Sequence, residues 1–133
     1  MIEQVAITQA FYCDCEERML RIAEIVQGGV PLDSVQLDRL HQEFDTLFGG
    51  ARAVHLPELE YHFRQMARYA RHLRNQQASG RPVGQQSWQM LLAGIGIAPC
   101  RDGDLSGDAG QRDSNRALFG QRIENIIDNG EAV

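Results

Sequence analysis

His41 and Asp45 lie four positions apart, and Gly49 follows at the same interval. On a helix that spacing puts all three on one face, with Phe48 and Arg52 beside them. An exposed imidazole there could take up a proton or attack as a nitrogen nucleophile near neutral pH. A lone exposed carboxylate is a poor nucleophile without a metal ion and an acidic pocket around it. A second chemical pattern is the stretch 102–113, DGDLSGDAGQRD. Asp102, Asp104, Ser106 and Asp113 space oxygen donors as a calcium loop does, with Gly107 at the turn. Leu105, the small Ala109, the short Asp113 and the incoming Ile97-Ala98-Pro99-Cys100 all weaken that reading, so an acidic surface loop without metal is expected. Cys13 and Cys15 point to different sides of a helix and do not form a zinc or redox pair.

The remaining histidines have plainer readings. His55 belongs to a turn, His62 borders an apolar stripe as a packed histidine, and His72 is solvated. Arg64, Arg68, Arg71 and Arg74 form a basic stripe, ordinarily a solvated face, which could also dock an acidic partner.

Composition narrows the classes. A chain of 133 residues is one domain, 1–133, with a single core. The net charge of -5 argues against a nucleic-acid partner. All 13 basic residues are arginine, which excludes P-loop and Schiff-base lysines. Three cysteines, Cys13, Cys15 and Cys100, are an odd set without a secretory signal, so free thiols are expected. No apolar run approaches the roughly 20 residues that span a bilayer, and a cytoplasmic chain with no membrane association follows.

Apolar periodicity supplies the elements that would carry these groups. Ile7, Phe11, Cys15, Met19, Ile22 and Val26 predict a helix over 3–27, closed by Gly28-Gly29. Asp33 or Ser34 caps a second helix over 34–53, with Leu37, Leu40, Phe44 and Leu47 inward. Pro57 opens a third over 57–78, whose core stripe is Leu59, Phe63, Met66, Ala70 and Leu73. A fourth over 84–95 carries Trp88, Leu91, Leu92 and Ile95. After a loop over 96–113, a fifth over 114–129 carries Phe119, Ile123, Ile126 and Ile127. No segment alternates with period two. The fold class is all-α: an antiparallel four-helix bundle with a fifth accessory helix.

The segment Phe44–Leu59, FDTLFGGARAVHLPEL, resembles the signature of histidine phosphotransfer (HPt) domains, especially those of chemotaxis-type histidine kinases. That signature runs A-H-T-L-K-G-S-A-x-x-x-G-L-x-x-L, and Thr46, Leu47, Gly49, Ala51, Leu56 and Leu59 match it. Asp45 stands at the phosphorylated histidine and Phe48 at the lysine. The resemblance implies an HPt-like bundle in two-component signalling, with a response-regulator receiver domain or a histidine kinase as partner. The two substitutions imply a module that is not phosphorylated, has no cofactor and is no enzyme. Glycines usually end helices, but the flanking match favours a helix running through Gly49-Gly50. The partner-binding face would comprise His41, Asp45, Phe48, Gly49, Gly50, Arg52 and Arg64, with Arg64 placed to pair with Asp45. His41 is the alternative phosphoacceptor, and an unrelated helical adaptor with a calcium loop at 102–113 is the remaining alternative.

Overall fold

The computed structural model describes residues 2–98 and 109–132, which form five α-helices and no strand among the described residues. They are α1 (Ile2–Val26), α2 (Ser34–Ala53), α3 (Pro57–Ala78), α4 (Gln85–Gly96) and α5 (Ala109–Asn129). The second and third have the predicted bounds. The first and fourth differ from expectation by one residue at each end, and α5 starts five residues early, so Asp113 is helical rather than part of the preceding loop. No helix is long and apolar enough to cross a membrane among the described residues.

Asp33 caps α2 reciprocally: its Oδ1 accepts from Gln36 N at 2.8 Å, and Gln36 Oε1 accepts from Asp33 N at 2.9 Å. Gln36 Nε2 also donates to the Ile25 carbonyl at 3.2 Å, so the same cap fastens the start of α2 to the end of α1. At its other end α2 runs without a break through Gly49-Gly50 to Ala53. There Leu56 N reaches Ala51 O at 3.0 Å and His55 N reaches Arg52 O at 3.2 Å, the paired bonds of a Schellman turn. His55 takes the left-handed position of that turn, with φ of 60°. Glycine is the residue that holds this conformation without steric penalty. His55→Gly should therefore raise stability by about 1 kcal/mol, and urea denaturation followed by far-UV circular dichroism measures it. A loss of stability would show that the imidazole contributes a contact of its own.

The α2–α3 hairpin is the structural centre. Leu37, Leu40, Phe44, Leu47 and Ala51 of α2 are buried, as are Leu59, Phe63, Met66, Ala70 and Leu73 of α3. Phe44 and Phe63 bring their ring centroids to 6.2 Å, within the range of favourable aromatic pairs. Asp38 meets Arg74 at 2.6 Å and His41 meets Ala67, so the two helices run antiparallel.

On its other faces α3 carries α4, through Tyr69 Oη donating to Ser87 O at 3.2 Å, and α5, through Gln65 Nε2 donating to Gly120 O at 2.8 Å. Leu92 of α4, an expected core residue, is 37% exposed. Trp88, Met90, Leu91 and Gly94 already cover the side of α4 that meets α3 and α5.

α1 lies along α2 in the opposite direction: Gln36 binds Ile25 O, Glu43 meets Arg18 at 3.5 Å, and Gly50 abuts Phe11. Continued one turn, that register exhausts α2 at Ala53, so the first turns of α1 have no α2 residue beside them. Ile7, an expected core position, is accordingly exposed. Cys15 is fully buried, as its place in the apolar stripe implies, but it is disulfide-bonded and not the expected free thiol, whereas Cys13 is a free, exposed thiol.

Candidate functional site

Burial along α2 follows its helical phase. Core positions recur at Leu37, Leu40, Phe44, Leu47 and Ala51, and the strip beside them toward α3 carries His41, Asp45, Phe48, Gly49 and Arg52. Asp45, Gly49 and Arg52 are exposed, while His41 and Phe48 are half-buried. A Cβ built on Gly49 meets nothing within 4 Å, so this turn of the helix is flat and open. Gly50, expected on the same face, points the other way. A Cβ there would lie 3.0 Å from Cδ1 and Cε1 of Phe11, so Gly50 serves the α1–α2 contact instead.

His41 does not hang free. Its Nδ1 lies 2.8 Å from the Ala67 carbonyl of α3. A carbonyl only accepts, so Nδ1 carries the proton, and in the neutral ring Nε2 is the basic nitrogen. The ring thereby braces α2 against α3 and keeps one nucleophilic nitrogen.

The antiparallel register carries Asp45 level with the Arg64 turn of α3. The expected ion pair is nevertheless absent: among the described residues neither Asp45 nor Arg64 makes an ion pair or a side-chain hydrogen bond. Both ends are exposed, where the small Coulomb gain does not offset the entropy of fixing two long side chains. The basic stripe of α3 divides in the same way. Arg68 reaches Asp128 of α5 at 2.7 Å and Arg74 reaches Asp38 of α2, while Arg64 and Arg71 stay exposed and unpaired among the described residues. Asp45 thus stands as an exposed carboxylate beside an open turn, with Phe48 and Arg52 on the same strip of α2 and Arg64 on the facing turn of α3.

The other predicted groups fall elsewhere. His62 is fully buried between α3, α4 and α5, with Nε2 3.0 Å from the Gly94 carbonyl. His72 is half-buried rather than solvated, stacked on Tyr69 at 6.2 Å, and burial lowers its pKa. The two rings line a cleft of about 700 Å³ with Arg81, Gln85, Ser87 and Glu131, on the side of α3 away from α2. Sequence periodicity does not show this cleft, because it arises where the ends of three helices diverge. Asp102, Asp104, Ser106, Gly107 and Cys100 lie outside the described residues. Asp113, the last position of the calcium-loop pattern, is held by Arg116 at 3.2 Å. Among the described residues no cluster of three or more His, Cys, Asp or Glu side chains is arranged to hold a metal ion.

In comparisons with known proteins the chain matches no family model, no curated protein and no solved structure.

Proposed function

We propose that this chain is an HPt-like four-helix bundle with an accessory fifth helix, acting as a recognition module for a two-component signalling partner without carrying phosphate itself. The observation that carries this reading is the unbroken course of α2 through Gly49-Gly50, which leaves Asp45 exposed one turn before an open glycine. An interior helical glycine costs about 1 kcal/mol relative to alanine. Among the described residues no contact offsets that cost at Gly49, whereas close approach by a partner would. The left-handed turn at His55 adds support, since it falls where the HPt signature has its second glycine. The partner is a receiver domain or a histidine kinase. Arg52 and Arg64 suit an acidic rim, and the half-exposed Phe48 supplies an aromatic anchor.

Titration calorimetry against a panel of receiver domains and histidine-kinase domains tests this reading. Gly49→Leu should weaken a measured affinity at least tenfold while the fold keeps or gains stability, because a Cβ at this position meets nothing within 4 Å. Binding unchanged in Gly49→Leu would remove this face from the interface, and no binding across the panel would remove the reading.

A second reading, transfer through His41, is favoured by the Nδ1–Ala67 bond, which leaves Nε2 as the basic nitrogen. Incubation with phosphorylated donors distinguishes the two. Acid-labile, base-stable label that disappears in His41→Ala would replace a docking role with a transferring one.

A further inference from the structure

His62 is a titratable group that the α2 face does not use. It is fully buried where α3, α4 and α5 meet. Its ring centroid lies 5.7 Å from that of Phe119 and 6.3 Å from that of Phe63. Because a carbonyl accepts, Nε2–H donates to Gly94 O, and Nδ1 is left bare and buried without a hydrogen-bond partner. The charges able to respond are few. α4 contains no ionisable residue. From α5 the facing charge is the Arg116 guanidinium, itself buried at 4% exposure and already bound to Ile97 O and Asp113. On α3, Glu58 one turn earlier is exposed, and Tyr61 is engaged with Glu124 of α5 at 2.8 Å. A proton on Nδ1 would therefore add a second cation beside Arg116, inside an apolar junction, with no buried carboxylate among the described residues to meet it.

We propose that His62 is an acid-sensitive latch, whose protonation undocks α4 from α3 while α1 and the α2–α3 hairpin stay folded. α4 is suited to such release. It meets α3 through Gly94 on Met66, Tyr69 on Ser87, and its own Trp88 and Leu91, whereas the hairpin has two long stripes of core side chains. Burial, with a smaller contribution from Arg116, lowers the His62 pKa from 6.5 to about 4, although the Gly94 bond acts in the opposite direction. The sign follows from the depression. Above pH 6.5 neither form binds the proton, and as pH falls from 6.5 toward 4 only the undocked form does. Docking weakens through that window by about two orders of magnitude in its equilibrium constant and changes no further below it.

Trp88 is the single tryptophan of the chain, lies on α4 and is 3% exposed, so its fluorescence reports docking. Acrylamide quenching of Trp88 should rise between pH 6.5 and 4 while most of the 222 nm ellipticity remains. In His62→Gln, which keeps a donor for Gly94 O but cannot titrate, quenching should stay flat over that range. Equal responses in the two chains, or loss of all helix in one step, would overturn the latch. If the variant does not fold, carbon-13 histidine NMR of the unmodified chain decides: His62 titrating near 6.5 with Trp88 still shielded also overturns it.

Discussion

Gly94→Ala combined with Gly120→Ala should remove up to about 4 kcal/mol of stability, taking about 1–3 kcal/mol of overpacking at each site less about 1 kcal/mol of helix propensity at each. Both glycines lie where helices cross too closely for a side chain. A Cβ on Gly94 would sit 2.5 Å from Met66 Sδ and 2.5 Å from Phe119 Cζ. Met66 is unbranched and can yield, but the Phe119 ring is confined by the His62 ring. A Cβ on Gly120 would fall on the Tyr61 ring, whose hydroxyl donates to Glu124 Oε1 at 2.8 Å. Shifting that ring would disturb the α3–α5 contact as well. The helix propensity that alanine gains over glycine reduces the overpacking loss without reversing it. The two positions share neighbours through Phe119, so the double variant should depart from the sum of the singles. Total stabilities of domains are about 5–15 kcal/mol, so the change should be plain in the urea midpoint. Gly49→Ala, made in open space, should move that midpoint the other way by about 1 kcal/mol. A midpoint unmoved by the double substitution would contradict the close crossings of α4 and α5 with α3.

This contrast shows which parts of the chain its sequence discloses. The bounds of α2 and α3 are legible because caps, a proline and a single apolar stripe agree at each end. Interior glycines are not: Gly49, Gly94 and Gly120 look alike in sequence, and only tertiary packing separates an open turn from a helix crossing. Ile7 fits the apolar period of α1 yet is exposed, because the period cannot disclose that α2 ends opposite that part of the helix. Arg64, Arg68, Arg71 and Arg74 read as one stripe, but their pairing depends on where Asp38 and Asp128 arrive from other helices. His62 reads correctly as a packed histidine. Its missing partner at Nδ1 becomes visible only once α4 and α5 enclose it. Of the proposed partner-binding face, the placement of His41, Asp45, Phe48, Gly49 and Arg52 on one strip of α2 follows from spacing alone. Gly50 belongs instead to the α1 contact, because the side occupied by α1 is not encoded in the period of α2.

The largest change expected from few substitutions is a gain of chemistry. Asp45→His with Phe48→Lys should convert a chain that takes no phosphate into one that does, if the proposed HPt-like reading holds. Position 45 is exposed, the open turn at Gly49 leaves room for a donor, and Arg64, unpaired among the described residues, lies on the facing turn to meet the incoming charge. In the step, the imidazole nitrogen forms a bond to phosphorus as the bond to the aspartyl oxygen of a phosphorylated receiver breaks. The receiver recovers its carboxylate, and the product is an N-phosphoimidazole. The lysine replaces an aromatic ring that packs partly against the core, so a loss of about 1 kcal/mol is expected from the exchange, and the long methylene stem retains some of the contact. Performing both changes in a His41→Ala background removes the acceptor on the same face, and acid-labile, base-stable label that His41→Ala alone does not take belongs to position 45. Asp45→His alone should label more slowly, because a neutral or aromatic neighbour does not compensate the phosphoryl charge. A folded triple variant that takes no label from a panel of phosphorylated receivers would mean the α2 face does not dock them productively. The HPt-like reading would then lose its chemical basis, although the helical packing that places Asp45 on the surface would stand.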